Sequence, residues 1–279
     1  MNGNPPISGT TRLYVVLGDP VTQVQSPALM NPLFARLGID AVLVPVHAKP
    51  EYLERIVDGL RCARNVDGIF VTVPHKAAVA GLADRRSPMV EITGSANALR
   101  READGRWYAD NFDGLGFVRG LEDAGYAPKG KQVALVGAGG AGSAIAAALL
   151  AAGADRLSVC DPDTAKLDGL RARLDTHWPG RTFASAEPRL DGAGIVVNAT
   201  PLGMNPSDPS PVPARLLAPH HMIFDCVYGP SKTALLRAAE RAGARGVNGI
   251  SMLLHQGTLS FSIWFNRDAP VEVMRAALL

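Results

Sequence analysis

The middle of the chain alternates apolar runs with helical segments. An apolar run at 133–136 enters a glycine cluster, an alanine-rich segment follows, and a second apolar run at 157–160 ends at Asp161. This order predicts a strand, a tight turn, a helix and a second strand, which together form one βαβ unit. Two later apolar runs, in AGIVVNATPLGM and MIFDCVYGP, each end in a polar loop. The pattern of strands therefore continues beyond this unit.

The first part of the chain, from Leu13 to about Phe117, shows the same alternation. Its apolar runs and helical segments stand in the order LYVVLG, SPALMNPLFARLG, AVLVPVHA, EYLERIVDGLRCA and VDGIFVTVP. This βαβαβ order predicts a largely parallel sheet that is covered on both faces. The residues from 249 to 279 are interpreted as two helices separated by 266–270. A length of 279 residues suits two α/β domains.

The glycine cluster has the GxGxxG spacing of a dinucleotide-binding turn. Gly137 would permit the tight turn, Gly139 would let the backbone approach a pyrophosphate, and Gly142 would allow the helix to pack closely on the strand. The following helix would offer its N-terminal N–H groups and the positive end of its dipole to the anion. Such a turn also serves simple chain reversal, but here it joins a predicted strand to a predicted helix. The predicted ligand is a dinucleotide.

Asp161 ends the second strand of this unit, close to the usual spacing of about 20 residues for the acid that binds the ribose 2′-hydroxyl. No arginine or lysine follows before Lys166, so a 2′-phosphate would face the carboxylates of Asp161 and Asp163. The sequence therefore predicts that NAD is preferred over NADP. The alternative is that Asp161 only forms a turn within Asp-Pro-Asp.

Composition and charge favour small-molecule partners. The formal net charge of +2 and the absence of a lysine or arginine block argue against a nucleic-acid or anionic-membrane surface. The three cysteines lie far apart, so neither a disulfide framework nor a metal site is expected. We find no signal-peptide pattern and no uncharged apolar stretch of about 18 residues, and we expect a cytoplasmic protein. The oligomeric state stays open, with a homodimer among the alternatives.

Four polar clusters follow predicted strands of the first part of the chain. Each has a structural explanation: Ser26 could cap a helix, as could Asp113, and Lys76 could be a solvated lysine in a first turn. Together they repeat one arrangement at strand ends, which independent caps do not require. The clusters are Ser26-Pro27 with Asn31, Thr72 to Lys76, Asn97, and Asn111 with Asp113.

From Gly18 to Trp264 the chain resembles the shikimate/quinate dehydrogenase family. Several motifs in the same order are far more specific than any one of them. The similar motifs are SPALMN at 26–31, VTVPHK at 71–76, GSANAL at 94–99, DNFDGLGF at 110–117, GAGGAG at 137–142, NATPLGM at 198–204, DCVYGP at 225–230 and GISMLLHQ at 249–256.

The resemblance implies a two-lobe α/β architecture and a set of site residues. The expected substrate-binding domain is 1–117, completed by the C-terminal helices at 250–279, and the expected Rossmann dinucleotide-binding domain is 118–249. Lys76 and Asp113 would form the catalytic pair. The implied substrate contacts are Ser26, Thr72, Asn97, Tyr228 and Gln256. The implied cofactor contacts are Gly137, Ala138, Gly139, Gly140, Ala141, Gly142, Asp161, Asn198, Thr200, Met204 and Gly249.

Three positions depart from the family pattern. Val24, Phe70 and Phe112 stand where the family has a serine, an asparagine and a threonine. A pocket that loses a hydrogen-bond partner for a buried substrate group loses about 1–3 kcal/mol of binding. The replacements predict a substrate with fewer or differently placed polar groups than shikimate.

The chemistry expected of such a protein is the oxidation of a secondary alcohol. A group that touches the hydroxyl oxygen must take its proton as hydride leaves for the nicotinamide. We assign Lys76 as this proton-transfer group and Asp113 as its orienting partner, and we expect His75 and His255 to be structural. Two alternatives stay open: a noncatalytic or regulatory ligand-binding protein on the same fold, and another two-lobe NAD(P) enzyme such as a folate-type methylene dehydrogenase.

Overall fold

The computed structural model of the protein describes residues 7–278. They divide into two compact units. The first unit contains the chain up to Phe112 and again from Gln256 onward, and the second unit is Asp113–His255. The boundaries expected from the sequence lie a few residues away, and the binding role of each unit stays a prediction. None of the helices within residues 7–278 is long and apolar enough to cross a bilayer.

The strands and helices alternate along most of the chain. The strands are β1 (Arg12–Gly18), β2 (Ala41–His47), β3 (Val66–Val71), β4 (Arg85–Arg86), β5 (Ala98–Arg101), β6 (Trp107–Asp110), β7 (Gln132–Val136), β8 (Arg156–Cys160), β9 (Thr182–Ser185), β10 (Ile195–Asn198), β11 (Met222–Asp225) and β12 (Arg245–Asn248). The helices are α1 (Ser26–Arg36), α2 (Leu53–Cys62), α3 (Lys76–Leu82), α4 (Pro88–Thr93), α5 (Asp113–Asp123), α6 (Gly140–Ala151), α7 (Thr164–His177), α8 (Ala234–Arg241), α9 (Ile250–Phe265) and α10 (Val271–Ala276).

The sheet of the first unit has the order β2-β1-β3-β5-β6-β4. As predicted, β1 pairs in parallel with both β2 and β3. The sequence analysis missed β5, which runs antiparallel to β3 and β6. Its four residues, ALRR, are too short and too charged to show an apolar period. The sheet is therefore mixed, with a parallel half that carries the predicted βαβαβ segment.

The two faces of β3 pack against different parts of the first unit. Ile69 and Val71 lie in an apolar core with residues of α2 and α3. Phe70 points to the opposite face, because side chains alternate along a strand, and its ring meets Trp264 of α9 edge-on at a centroid distance of 4.4 Å. The Trp264 indole N–H donates to the Leu99 carbonyl at 3.1 Å. Helix α9 is thus fixed to the sheet by the Trp264 side chain.

The sheet of the second unit is parallel throughout, in the order β12-β11-β10-β7-β8-β9. This is the doubly wound Rossmann order, with the strand sequence reversing direction between β7 and β10. Ligands of such sheets bind outside the carboxyl ends of the strands at this reversal. The predicted α/β class and Rossmann lobe are confirmed, and the glycine cluster follows β7, where that rule places a ligand.

Candidate active site

The glycine loop, residues 137–142, has the geometry expected of a dinucleotide-binding turn. Gly137 adopts a left-handed φ of 107°, and a Cβ there would lie 2.9 Å from the Ala199 carbonyl carbon. A Cβ on Gly142 would collide with the Gly137 carbonyl oxygen. At Gly139, the N-cap of α6, no atom lies within 4 Å of an added Cβ. The turn and the packing are present as predicted, and the open side at Gly139 fits the approach of a pyrophosphate.

Asp161 is held by the backbone around it. Its Oδ2 accepts a hydrogen bond from the Ala138 N–H at 2.8 Å, and its Oδ1 accepts one from the Asp163 N–H at 3.0 Å. Asp163 in turn caps α7 by accepting from the Lys166 N–H at 3.1 Å, which holds the pKa of Asp163 below its usual value. The Asp161 carboxylate therefore ties the end of β8 to the glycine loop.

The β10 loop, residues 199–204, lies directly beside the glycine loop. The Ala199 N–H donates to the Val136 carbonyl at 2.8 Å, which extends the pairing of β10 with β7. Asn198 is fully buried. Its Oδ1 accepts from the N–H and the hydroxyl of Thr200 at 3.0 and 2.7 Å, and its Nδ2 donates to the Leu202 carbonyl at 3.1 Å. The Asn198 side chain is thus used inside the protein, where it shapes the loop.

The other predicted contacts of the second unit differ in their surroundings. Met204 and Tyr228 are half-buried, and burial raises the pKa of the Tyr228 hydroxyl. A Cβ on Gly249 would collide with the Cys226 carbonyl oxygen, so packing requires a glycine at this position. Tyr228 and Met204 keep exposed surface that a ligand could reach.

In the first unit, hydrogen bonds bring three strand-end segments together. The Ala96 N–H donates to the Lys76 carbonyl at 2.8 Å. The Asn97 Oδ1 accepts from the Phe112 N–H at 2.9 Å, and the Asn111 amide donates to the carbonyl and hydroxyl oxygens of Ser95 at 3.0 and 2.9 Å. Lys76 opens α3, and the buried Asp113 follows Phe112 directly in the chain. Within the first unit, the start of α3 and the segment that ends at Phe112, directly before Asp113 of the second unit, are therefore joined through 95–97.

Two predicted substrate contacts of the first unit have open hydroxyl groups. Ser26 and Thr72 are half-buried, and neither hydroxyl has a hydrogen-bond partner within residues 7–278. Ser26 does not cap α1, because the N-cap position is Gln25. Gln256 is also half-buried, and its Oε1 accepts from the Asn97 amide at 3.2 Å. These polar groups can serve a ligand without first breaking a helix cap.

The two histidines near the predicted site have structural partners. The ring Nε2 of His75 donates to the Ala48 carbonyl at 2.6 Å, and the ring is buried. The Nε2 of His255 lies 2.9 Å from the Asp123 carboxylate. Each ring is committed to a contact within its own unit, which agrees with the structural role expected for both.

The three apolar residues at usually polar positions, Val24, Phe70 and Phe112, differ in their packing and exposure. Phe70 is 8% exposed and is locked by Trp264, whereas Phe112 is 7% exposed and carries the backbone N–H that binds Asn97. Val24 is half-buried two residues before α1. Val24 and Phe70 each stand two residues before a predicted substrate contact, Ser26 and Thr72. Phe112 is joined to a third contact, Asn97, by its backbone hydrogen bond.

One residue that the sequence analysis did not select is Asp225, at the end of β11. It is fully buried, and burial raises its pKa. Its carboxylate accepts from Asn198 Nδ2 at 2.8 Å, the Val227 N–H at 3.1 Å and the Thr233 hydroxyl at 2.6 Å. An acid at the end of an otherwise apolar strand is the signal that could have found it.

Similarity to known proteins covers almost the whole chain. The shikimate dehydrogenase substrate binding domain matches residues 16–99, and the shikimate 5′-dehydrogenase C-terminal domain matches residues 249–279. A shikimate dehydrogenase (NADP(+)) of Rubrobacter xylanophilus is 42% identical, over 98% of this chain and 98% of its own length. The chain belongs to the shikimate dehydrogenase family. This confirms the resemblance and makes the protein an NAD(P)-dependent alcohol oxidoreductase of the shikimate/quinate type.

Further members of the shikimate dehydrogenase family agree in sequence and in fold. A shikimate dehydrogenase (NADP(+)) of Symbiobacterium thermophilum is 38% identical, over 97% of this chain and 95% of its own. The solved shikimate 5-dehydrogenase of Listeria monocytogenes, in complex with shikimate and NAD, is 30% identical with a TM-score of 0.87, and the match covers 99% of both chains. Neither a noncatalytic protein nor a folate-type enzyme is favoured.

The prediction that NAD is preferred over NADP is wrong. The curated relatives from Rubrobacter, Symbiobacterium and two further genera are all named for NADP(+). The prediction took the Asp161 carboxylate as a group reserved for the ribose, whereas each of its oxygens accepts a backbone N–H, one from Ala138 and one from Asp163. An acid at this spacing also has a role within the protein, so its presence alone does not select NAD.

Proposed function

We propose that the protein reversibly oxidises the secondary alcohol of a shikimate- or quinate-like cyclic hydroxy acid, with NADP as the hydride acceptor. The observation that carries this proposal is the arrangement around 95–97, where hydrogen bonds join the Lys76 segment to the segment before Asp113. The names of the family members support the substrate class and the cofactor. The predicted site residues supply the chemistry.

We assign the substrate to the first unit. The open hydroxyls of Ser26 and Thr72 and the side chains of Asn97 and Gln256 suit the carboxylate and hydroxyl groups of such a substrate. The contact expected at Tyr228, a residue of the second unit, stays a prediction from the family resemblance. A match of the substrate binding domain to residues 16–99 supports this assignment.

We assign the dinucleotide to the second unit. The open side of Gly139 and the N-terminus of α6 would receive the pyrophosphate, and the half-buried Thr200 and Met204 would lie along the rest of the molecule. When bound, the nicotinamide supplies the acceptor for hydride. The contacts of the glycine loop come mainly from backbone N–H groups, since Ala138 and Ala141 offer no polar side chain.

The proton of the substrate hydroxyl is the part of the reaction that the protein must handle. The neutral amine of Lys76 takes this proton as hydride leaves, and Asp113 orients the lysine and accepts a hydrogen bond from the ammonium group that results. A lysine at the first position of a helix has a backbone fixed by that helix, while its long side chain can still reach a ligand.

Val24, Phe70 and Phe112 narrow the substrate class. The Phe70 ring is held by Trp264 and has no polar atom to offer a substrate hydroxyl. We therefore expect the best substrate to carry fewer or differently placed hydroxyl groups than shikimate, because an unpaired buried hydroxyl would cost about 1–3 kcal/mol of binding.

A substrate screen tests the proposal. The purified protein is mixed with shikimate, quinate and a panel of cyclic polyols and hydroxy acids, each with NADP and with NAD, and the absorbance of the reduced nicotinamide is followed. We expect reduction of NADP with at least one cyclic hydroxy acid. No reduction of either dinucleotide by any compound of the panel would contradict the proposed function.

A further inference from the structure

Asp225 is the most deeply buried acid of the second unit and has only neutral partners. The residue has no exposed surface. Its three hydrogen-bond donors within residues 7–278 are an amide, a backbone N–H and a hydroxyl. Burying a carboxylate without a cation is costly unless its lone pairs are satisfied. This carboxylate therefore depends on all three donors, and they in turn depend on a side chain that offers only acceptors.

Through Asn198, the carboxylate fixes the β10 loop. Because Asn198 Nδ2 donates to Asp225 at 2.8 Å, its Oδ1 must face the other way, where it accepts from the N–H and the hydroxyl of Thr200. The Thr200 oxygen then accepts from the Leu202 N–H at 3.2 Å. A side-chain amide that turned over would place its oxygen against the Asp225 carboxylate, acceptor against acceptor, and its NH2 group against the Thr200 N–H, donor against donor. The orientation of Asn198, and with it the start of the loop, is thus set by Asp225.

The same carboxylate also binds the segment that follows β11. It accepts from the Val227 N–H at 3.1 Å and from the hydroxyl of Thr233, the residue that caps α8. Three separate stretches of chain meet at this one side chain: the end of β10, the turn after β11 and the start of α8. Displacing the carboxylate would release all three at once.

The β10 loop is where this arrangement matters for a ligand. It follows the strand next to β7, at the reversal of strand order, and its first residues touch the glycine loop: a Cβ on Gly137 would lie 2.9 Å from the Ala199 carbonyl carbon and 3.0 Å from Thr200 Cγ2. Ligands of such sheets bind in the crevice at this position. The β10 loop is one wall of that crevice, and Asp225 lies behind it.

We propose that Asp225 is a positioning residue of the dinucleotide site, which it serves by holding Asn198 and the β10 loop in the shape that receives the ligand. The inference rests on the proposed function only in taking NADP as the ligand of the second unit. Asp225 does not touch the ligand in this account. Its contribution passes through Asn198.

A double-mutant cycle on NADP affinity tests this inference. The variants are Asp225→Ala, Asn198→Ala and the double variant, each titrated with NADP in the absence of any hydroxy acid. We expect each single variant to bind NADP at least about tenfold more weakly, the loss that follows when one buried polar partner is left unpaired. Because the two residues act in series, the double variant should be little worse than the worse single variant.

A stability-matched control separates positioning from a general loss of folding. Leu174 of α7 is fully buried and lies outside this network, so Leu174→Ala should lower the melting temperature through a cavity while NADP affinity stays near that of the unaltered protein. An equal loss of affinity in Leu174→Ala and Asp225→Ala, at equal melting temperature, would overturn the inference. Fully multiplicative losses in the cycle would do the same.

Two outcomes separate this inference from the proposed function. If Asp225→Ala does not fold, Asn198→Ala alone decides, because it removes the amide link and leaves the carboxylate with two donors; unchanged NADP affinity in that variant would overturn the inference. If the unaltered protein binds no NADP at all, the proposed function fails and takes the inference with it. Loss confined to the variants supports both.

Discussion

In the second unit, the polar side chains at the ends of the central strands bind one another and the loops around them, whereas in the first unit two predicted site hydroxyls, of Ser26 and Thr72, bind no other atom of residues 7–278. Asp161, Asn198 and Asp225 each accept or donate at least two hydrogen bonds within the second unit. In the first unit, the hydroxyls of Ser26 and Thr72 are half-buried and have no partner within residues 7–278.

The difference indicates two ways of preparing a binding surface. Where side chains are used to fix loops, the loops present backbone N–H groups, which suit the phosphate and amide groups of a dinucleotide. Where side chains are left open, they can bind the particular hydroxyl and carboxylate groups of one substrate. Removing an open polar side chain from the first unit should therefore weaken substrate binding without lowering stability. Removing a polar side chain that fixes a loop of the second unit should lower stability and dinucleotide affinity together.

The largest effect is expected at Lys76 and Asp113. Single-turnover hydride transfer in Lys76→Met and Asp113→Asn should fall about 10²–10⁴-fold, the usual contribution of a general acid–base group, with NADP affinity nearly unchanged. The double variant should be little worse than the worse single variant, since coupled residues are not additive.

The exposed Lys49 of the same unit provides the matched control for Lys76. Lys49→Met removes the same charge and should transfer hydride at close to the normal rate. Near-normal hydride transfer in Lys76→Met would remove that lysine from the chemistry, and multiplicative losses in the double variant would mean that the two residues work independently.

The glycine loop offers a matched pair with the next largest effect. In Gly142→Ala the added methyl would collide with the Gly137 carbonyl, so we expect a loss of about 1–3 kcal/mol in the free energy of unfolding, together with weaker NADP binding. In Gly139→Ala nothing lies within 4 Å of the methyl, so stability should be kept and only NADP affinity should fall. Chemical denaturation and NADP titration decide, and full NADP affinity in Gly139→Ala would show that no ligand approaches there.

The substrate preference can be shifted in the first unit. Val24→Ser, Phe70→Asn and Phe112→Thr together should raise catalytic efficiency on shikimate by about tenfold or more, because each restores one hydrogen-bonding group. Phe70→Asn also removes the contact with Trp264, so some stability is lost. Kinetics on shikimate and on the best compound of the screen measure the change. If the unaltered protein already prefers shikimate to every other compound, these positions do not control the choice.

The smallest effect is expected at Asp161. Asp161→Ala removes two hydrogen bonds to the backbone around the glycine loop, which should weaken NADP and NAD by the same factor, about two- to tenfold. Asp163→Ala removes the cap of α7 and the ion pair with Lys166, and it should lower stability with less effect on either dinucleotide. Calorimetric titration with both dinucleotides measures the factors. A much larger loss for NAD than for NADP would mean that the Asp161 carboxylate binds the ribose after all.

Much of the fold was predictable because its main strands are apolar runs. The periodic pattern predicted β1, β2 and β3 and the glycine turn between β7 and α6, and the Rossmann order confirms the second lobe. The antiparallel β5 escaped because its four residues end in two arginines and show no period. Its pairing depends on contacts between distant parts of the chain, which a local pattern does not contain.

The sequence predicted which strand ends carry the site residues. It predicted less well which atoms those residues hydrogen-bond. The spacing of Asp161 from the glycines predicted an acid at the end of β8, but the nearest donor is the Ala138 N–H of the loop itself. The same holds at Asn198, which was predicted as a cofactor contact and is fully buried among its own partners. Such competition between ligand and protein for a polar atom is decided by tertiary distances, which sequence spacing does not give.

The measurement that tests the division between the two units most directly is made on the double variant Ser26→Ala with Thr72→Val. Valine keeps the methyl group of Thr72, and neither hydroxyl has a partner within residues 7–278, so the melting temperature and NADP affinity should not change. The KM for the best hydroxy acid should rise about tenfold or more, as expected when bound polar groups lose their partners. An unchanged KM, or a loss of NADP affinity equal to the loss for the hydroxy acid, would contradict the account.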